Sequence, residues 1–442
     1  MNYSNLSTTL TNTLENDIKK KNGIYFTPPS CIHRNIEILK PYMDTITNVL
    51  EPSCGSCEYI VSLHKHFNHL NITGIEFNPT IYTSITKFNS NNTTILQSDF
   101  MVYETTDRYG LIIGNPPYYV MEKKDVNKDY TKFFDGRPNI FILFIIKSLR
   151  LLKDNGILSF ILPKSFLNCS YYDKTRKYIL KHFQILHIED CIDDKYLNTS
   201  QPTIMFILQK KNSINNSIDN NKFNINIHTY SILNDEKNIT ILKKYKTDSK
   251  TLCELGFKVN VGKVVWNQAA ARLGKKDKDL LEMDPTDPTL EDKDRKLIVK
   301  AKKKSKKKSI LTDDETKTRL IYSTDIVNNT LGKKTYTSED KKNYINKPGK
   351  KEIMLVMNRG YGVSTYKFNY CLINLDHEYL IENHLICIRD DKSRSKDELL
   401  NLYKKIIKSL EDSRTKDFIN IYCSNNALNT TELNNIVPIF GM

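Results

Sequence analysis

Leu111-Ile112-Ile113-Gly114-Asn115-Pro116-Pro117-Tyr118 runs from an unbroken apolar segment straight into a rigid polar corner. An apolar run without polar alternation reads as a strand buried on both faces, as the strands of parallel sheets are. The two prolines remove two backbone donors and fix two φ angles. What is left is a small cradle in which the Asn115 side-chain oxygen and the Pro116 carbonyl accept, with Tyr118 offering a flat face. Such a cradle suits a planar amino group, because two acceptors hold both N–H bonds while the ring stacks. Ligands of open parallel sheets bind beyond the carboxyl ends of the strands. The corner therefore marks a fold and a site together.

The same texture repeats on either side. Asn48–Leu50, Ile72–Ile75, Thr94–Leu96 and Ile157–Leu162 read as further buried strands, with Glu58–Phe67, Thr80–Phe88 and Asn139–Lys153 as helices between them. The last helix is expected to turn one apolar face, made of Ile140, Phe144, the Lys147 stem and Leu151, toward the sheet. Alternating strands and helices predict an α/β unit, a parallel sheet covered on both sides. Ile185–Ile188 and Thr203–Leu208 lie close together and predict an antiparallel pair at the sheet edge.

Other strand ends are polar as well. Glu51 opens the turn Glu51-Pro52-Ser53-Cys54-Gly55-Ser56-Cys57. Glu76, followed by Phe77, ends the next strand roughly 20 residues on, the placement that holds ribose hydroxyls in nucleoside-binding sheets. Asp99-Phe100 sets an acceptor beside an aromatic ring, suited to an adenine amino group and its base. With Asn115, successive strand ends present polar side chains in register. The turn is not a phosphate-cradling fingerprint, since Cys57 stands where the later glycine belongs. Cys54 and Cys57 have the spacing of a redox or metal pair, yet no second pair follows and a ligand turn explains them better. No metal is expected.

In this order the residues resemble the N6-adenine DNA methyltransferases of the gamma motif order, the arrangement common among type II restriction-modification methylases. Lys21–Pro29, with Tyr25, Thr27 and Pro28, is similar to the family's Tyr-x-Thr-Pro element that closes over the cofactor methionine. Glu51, Pro52, Ser53, Cys54 and Gly55 resemble its first cofactor motif, Glu76 its ribose-binding acid, and Asp99 with Phe100 its adenine-binding pair. Asn115, Pro116, Pro117 and Tyr118 resemble its catalytic motif, and Gly156–Phe166 fits a further family segment. The likeness covers about residues 20 to 210. Cys57 replaces a usual glycine.

The resemblance implies a Rossmann-like class I methyltransferase sheet and S-adenosyl-L-methionine as cofactor. A methyl group would pass to the exocyclic N6 of adenine, whose two N–H bonds Asn115 and Pro116 accept. Orientation and fixed dipoles then replace a strong general base. The target base must leave the duplex, and Tyr118 with Tyr196, just before Gln201-Pro202-Thr203, would stack on it. The same cradle also serves an RNA or a protein-glutamine methyltransferase, or a non-catalytic DNA-binding protein on this scaffold. Methylation of DNA, RNA and protein in parallel separates these.

Composition bounds the partners. Over 442 residues, 66 Lys and Arg against 51 Asp and Glu leave a net charge of +15, which favours nucleic acid over an acidic small molecule. Double-stranded DNA is the expected partner, with a separate cognate restriction endonuclease compatible with the resemblance and the chain acting as a monomer. No segment approaches the ~18 to 20 apolar residues of a membrane span, and the polar stretch 1–20 lacks a secretion signal. Nine scattered cysteines fit a reducing, cytoplasmic setting. No nuclease constellation is visible.

Boundaries follow from texture. Residues 1–211 are expected as the cofactor-binding catalytic domain, 212–250 as an Asn/Ser-rich connecting segment, and 251–442 as an α+β target-recognition domain with a charged insertion near 275–308. Within it, Val259–Trp266 and Ile353–Val363 are expected as strands or strand-loop units that would bring Gly256, Val261-Gly262, Trp266-Asn267 and Asn358-Arg359-Gly360-Tyr361 near DNA. His384 is expected as a structural histidine in a strand. Lys300–Lys308, seven lysines broken by Ala301 and Ser305, is expected to be mobile and exposed, either as a solvated loop, as an arm that contacts phosphates, or, in a eukaryotic host, as an import-like signal.

Overall fold

The computed structural model describes residues 2–191, 196–211, 218–271, 275–285, 290–305, 309–336, 341–358, 368–422 and 428–442. The chain divides into two units, residues 1–244 and 245–442. In the first, α1 (Asn5–Thr13), α2 (Asn16–Asn22) and α3 (Pro29–Leu39) precede β1 (Asn48–Glu51), α4 (Glu58–His66), β2 (Asn71–Glu76), α5 (Pro79–Ile85), β3 (Thr93–Gln97) and β4 (Tyr109–Gly114). Then come α6 (Ile140–Leu151), β5 (Leu152–Pro163), α7 (Asp173–His182), β6 (Phe183–Asp190), β7 (Thr203–Lys210), β8 (Asn224–Ile227) and β9 (Tyr230–Leu233).

Seven strands form one sheet in the order β3-β2-β1-β4-β5-β7-β6. The pairs from β3 to β5 are parallel, and β7 runs antiparallel between β5 and β6. The predicted antiparallel strands are thus at the edge, with the later one inserted on the inside. The period of two sorts the core. Leu50, Ile112 and Leu158 join residues of α6 and α7, whereas Val49, Leu111, Ile113 and Ile157 join residues of α3 and α4. The order reverses between β1 and β4, so their carboxyl ends flank the crevice where such sheets bind ligands.

The α6 helix departs from the one-faced expectation: ten of its twelve residues are buried. A helix apolar all round is buried all round, and Val126, Tyr130, Phe133 and Phe134 of the preceding connection complete its cover. Lys147, its half-buried cation, donates to the carbonyls of Met101 and Tyr103 at 3.0 and 2.5 Å.

The expected connecting segment 212–250 is a correction. Residues 212–217 lie outside the described residues, but 218–244 belong to the first unit. Their polar side chains bond to backbone instead of water. Asn220 accepts from the Ile185 N–H at 2.8 Å and donates to the Phe183 carbonyl at 2.9 Å. The β8-β9 hairpin is held by Arg176 of α7, fully buried, which donates to the carbonyls of Ser231, Phe166 and Cys169 at 2.6, 2.9 and 2.8 Å. Asp173 accepts from the Ser231 N–H at 2.8 Å.

The second unit is α+β. Phe257–Val261, Leu385–Asp390, Met354–Asn358 and Tyr370–Ile373 form an antiparallel sheet in that order. A second four-stranded sheet contains Thr318–Ile321 and Tyr379–Ile381, and the helices Lys396–Glu411 and Ser413–Tyr422 follow. The expected strand or strand-loop unit Val259–Trp266 is strand as far as Val261, and Gly262 then packs so close to the Glu382 carbonyl that a Cβ would come within 2.1 Å of it. Trp266 instead starts a short helix. Asn358 ends a strand, and Arg359, Gly360 and Tyr361 lie outside the described residues. His384 sits in the turn before the last strand of the first sheet, largely exposed, its Nδ1 hydrogen-bonded to the buried carboxylate of Glu382. The lysine run is corrected in part. A helix, Asp292–Ser305, extends into it with Ile298 and Ala301 buried one turn apart, and 306–308 lie outside the described residues. Lysine stems tolerate a helix whose small apolar stripe finds cover. No helix among the described residues is long and apolar enough to cross a membrane.

Candidate active site

Beyond the carboxyl ends of β1 to β4 lies an open cleft. Of the residues singled out in the sequence, Tyr25, Pro52, Ser53, Gly55, Glu76, Phe77, Asp99, Phe100, Asn115 and Pro117 line it. The register of a parallel sheet brings them together.

The turn after β1 is held by the Cys54 N–H, which donates to the Ile75 carbonyl of β2 at 2.9 Å. Gly55 is left-handed at φ 50°, and a Cβ there would press on the Phe26 ring at 3.3 Å. Cys57 is left-handed too, at φ 61°, as the N-cap of α4. The conformation of the usual glycine is therefore kept by a cysteine, at a cost of about 1–2 kcal/mol.

Glu76 accepts from the N–H groups of Gly55 at 2.9 Å and Asn78 at 2.7 Å. Burial pushes its carboxyl up to about 7 even against those bonds. Glu51 is 3 % exposed, and its Oε2 has no hydrogen-bond partner. Burial holds its carboxyl well above the usual range. Asp99 accepts from the Met101 N–H at 2.8 Å. Phe77 stands 61 % exposed at the cleft, while Phe100 is buried against Phe144 with centroids 4.9 Å apart.

Asn115 is tied on every side. Its side-chain N–H donates to the Tyr25 carbonyl at 3.1 Å, its Oδ1 accepts from the Tyr118 hydroxyl at 2.5 Å, and its own carbonyl accepts from the Ser53 hydroxyl at 3.2 Å. The Tyr118 hydroxyl also reaches the Ile161 carbonyl at 2.7 Å, and its ring meets Phe141 edge-on. Glu51, Cys54, Pro116, Tyr118, Thr27 and Pro28 stand behind the lining, Thr27 buried and Pro28 capping α3. Tyr196 is also outside the cleft. Its hydroxyl lies 3.3 Å from Thr203 Oγ1, and its ring lines a small pocket with Thr11, Lys19 and Tyr25.

Asn22, Gly23, Ile24 and Phe26, within the expected Lys21–Pro29 element but not singled out there, line the cleft, as do Tyr119, Ile140 and Phe144, which sequence reasoning missed. Gly23 carried a signal: it follows a short polar helix and takes φ 64°, against which a Cβ would meet the Tyr118 backbone nitrogen at 2.6 Å. Ile140 and Phe144 carried none, since they read as core.

Among the described residues the lining contains carboxylates and no lysine, arginine or histidine, which suits a cationic nucleoside better than a polyphosphate. Residues 13–197 match the Eco57I restriction-modification methylase family. Over that stretch, which is less than half of its length, the chain is similar to a restriction-modification methylase. One relative, the type II methyltransferase M.CvrRI of Paramecium bursaria Chlorella virus XZ-6E, is 26% identical over 426 residues, 95% of this chain and 94% of its own length. Another, the modification methylase CviBIII of Paramecium bursaria Chlorella virus NC1A, is 31% identical over 198 residues, 43% of this chain and 52% of its own. The chain thus spans nearly all of the first and about half of the second. Among solved structures, a nuclease-deletion mutant of the Type ISP restriction-modification enzyme LlaGI, in complex with a DNA substrate mimic, aligns at TM-score 0.52 and 14% identity over 98% of this chain and 54% of its own, a likeness of fold. The sheet of the first unit is Rossmann-like, and S-adenosylmethionine is the cofactor that the resemblance implies for its cleft. The residues fit it: a carboxylate on two backbone donors, a buried carboxyl oxygen without a partner, and no cationic side chain among the described lining residues.

Proposed function

We propose that this protein is a DNA methyltransferase, adenine-specific and of the gamma motif order, that methylates the exocyclic N6 of an adenine flipped out of double-stranded DNA. The observation that carries the reading is Asn115, whose carboxamide lines a cleft of acids and aromatic rings and whose nitrogen faces the Tyr25 carbonyl, which directs the oxygen as an acceptor.

S-adenosylmethionine supplies an electrophilic methyl group on a positive sulfonium. Glu76 would hold its ribose hydroxyls, Asp99 its adenine amino group, and Phe77 and Phe100 would flank the base. Tyr25, Thr27 and Pro28 would close the methionine end, where the turn Glu51–Gly55 contributes the spare carboxyl oxygen of Glu51.

The target nitrogen is a weak nucleophile because its lone pair is delocalised into the ring. Asn115 and Pro116, by accepting both of its N–H bonds, favour a tetrahedral nitrogen with the lone pair free, so orientation does the work of a base. Pro117 stiffens the cradle. Flipping costs a few kcal/mol, and stacking on Tyr118 and Tyr196, at roughly 1–3 kcal/mol per base, offsets much of it. Residues 245–442 would read the target.

Unmodified duplex DNA incubated with labelled cofactor, digested and resolved by mass spectrometry, tests the reading, with RNA and protein extract as parallel substrates. N6-methyldeoxyadenosine is the expected product. Label on cytosine alone, or on RNA or protein and not DNA, refutes it.

A further inference from the structure

We propose that His33, Glu37 and His66 form a binding site for a first-row divalent transition ion, zinc in first place, where α3 meets α4 in the first unit. Each residue offers one ligand atom, and the three atoms lie within 4.8 Å of one another. His33 and Glu37 are four apart on one face of α3, the spacing that sets two side chains over a common point. His66 ends α4 and supplies the third donor from a different element.

The orientation of His66 suits a metal ligand. Its Nδ1 lies 2.8 Å from the Ser62 carbonyl. A carbonyl only accepts, so the ring proton sits on Nδ1 and Nε2 keeps its lone pair. Metal-binding imidazoles are held in this way, with one nitrogen tied to a backbone carbonyl and the other presented to the ion.

Two imidazoles and one carboxylate suit zinc, cobalt, nickel or copper, and are too few oxygens for calcium or magnesium. Lys40 donates to the Glu37 carboxylate at 2.8 Å. That ion pair is exposed and therefore weak, so Lys40 yields to an ion. His33 and His66 also border a shallow concavity with Glu58 and Lys65, which leaves room for water to complete the coordination. Because α3 starts just after the cleft segment around Tyr25, and α4 just after the turn at Glu51, an ion here would tie together the two helices that support the cofactor cleft.

The test is calorimetric titration of the full chain, stripped with a chelator, with zinc chloride, alongside thermal unfolding with and without zinc. One ion per chain and a raised unfolding midpoint are expected, with at least tenfold weaker binding in His33→Ala/His66→Ala and in Glu37→Gln. Glu37 is exposed, so its variant decides the matter if the double variant fails to fold. No zinc binding by the wild type, equal affinity in the variants, or calcium binding as tight as zinc overturns the site. The reading needs no methylation assay and stands whatever the methyl acceptor is.

Discussion

Tyr25 and Asn115 are 90 positions apart in the chain and joined by a single hydrogen bond, from the Asn115 side-chain nitrogen to the Tyr25 carbonyl at 3.1 Å. Because the carbonyl only accepts, the bond dictates which way the carboxamide faces and where its acceptor oxygen lies. Asn115→Ala should lower methyl transfer by on the order of a hundredfold or more while leaving cofactor affinity nearly intact. Calorimetry with cofactor beside a labelled-methyl assay checks both halves, and wild-type turnover in the variant would remove Asn115 from the chemistry.

Glu76 makes stability depend on pH. Its carboxyl stands at about 7 against an ordinary 4.5, so the fold prefers the protonated form. An acid raised in this way leaves its contribution intact below pH 4.5 and loses it as pH rises to about 7, a total of roughly 3 kcal/mol from the 7 − 4.5 difference. In Glu76→Gln that loss should vanish, read as denaturation midpoints from pH 4 to 8 that fall less steeply than in wild type. Cofactor affinity of the same variant should drop about tenfold to a hundredfold, as charge-assisted bonds to ribose are weakened.

The α/β sheet was legible because Leu111–Ile113 and its counterparts are apolar without alternation, and the strand ends could be matched to acids by spacing alone. The cleft's apolar wall was not. Ile140 and Phe144 belong to α6, whose all-round burial gives no period from which to pick the ligand-facing side. The hairpin after residue 218 was hidden by composition, since asparagines that bond to backbone look the same in sequence as asparagines in water. Gly262 was read as a recognition position, whereas its lack of a side chain lets it approach Glu382.

Gly23→Ala should disturb the site without touching a ligand group. A Cβ there would sit 2.6 Å from the Tyr118 nitrogen on a backbone at φ 64°, and left-handed strain alone is about 1–2 kcal/mol. A lower unfolding midpoint together with reduced turnover is expected. Unaltered values for both would mean that the segment yields freely.

Replacing Tyr196 with Ala should slow capture of the flipped adenine, and Phe should restore most of it. Phe also removes the hydroxyl contact to Thr203, so rescue separates stacking from hydrogen bonding. Fluorescence of 2-aminopurine at the target position reports the difference; equal rise and rate in the Ala variant would exclude Tyr196 from the base pocket.

Arg176→Met should destabilise the first unit by about 3–5 kcal/mol, since Asp173 loses its buried partner and carbonyls of Phe166, Cys169 and Ser231 lose their donor. Urea unfolding gives the number. A change below ~1 kcal/mol would mean that water reaches the site.

The insertion of β7 between β5 and β6 sets an order of events during synthesis. β5 has twelve residues, and its partner on the outer side is not made until residues 203–210. Until that segment leaves the ribosome, the nascent chain carries a long, apolar, unpaired strand edge, the feature through which chains associate with one another. Fragments that stop before residue 203 should therefore be claimed by chaperones or aggregate, whereas those that extend past the hairpin at 224–233 should stay in solution.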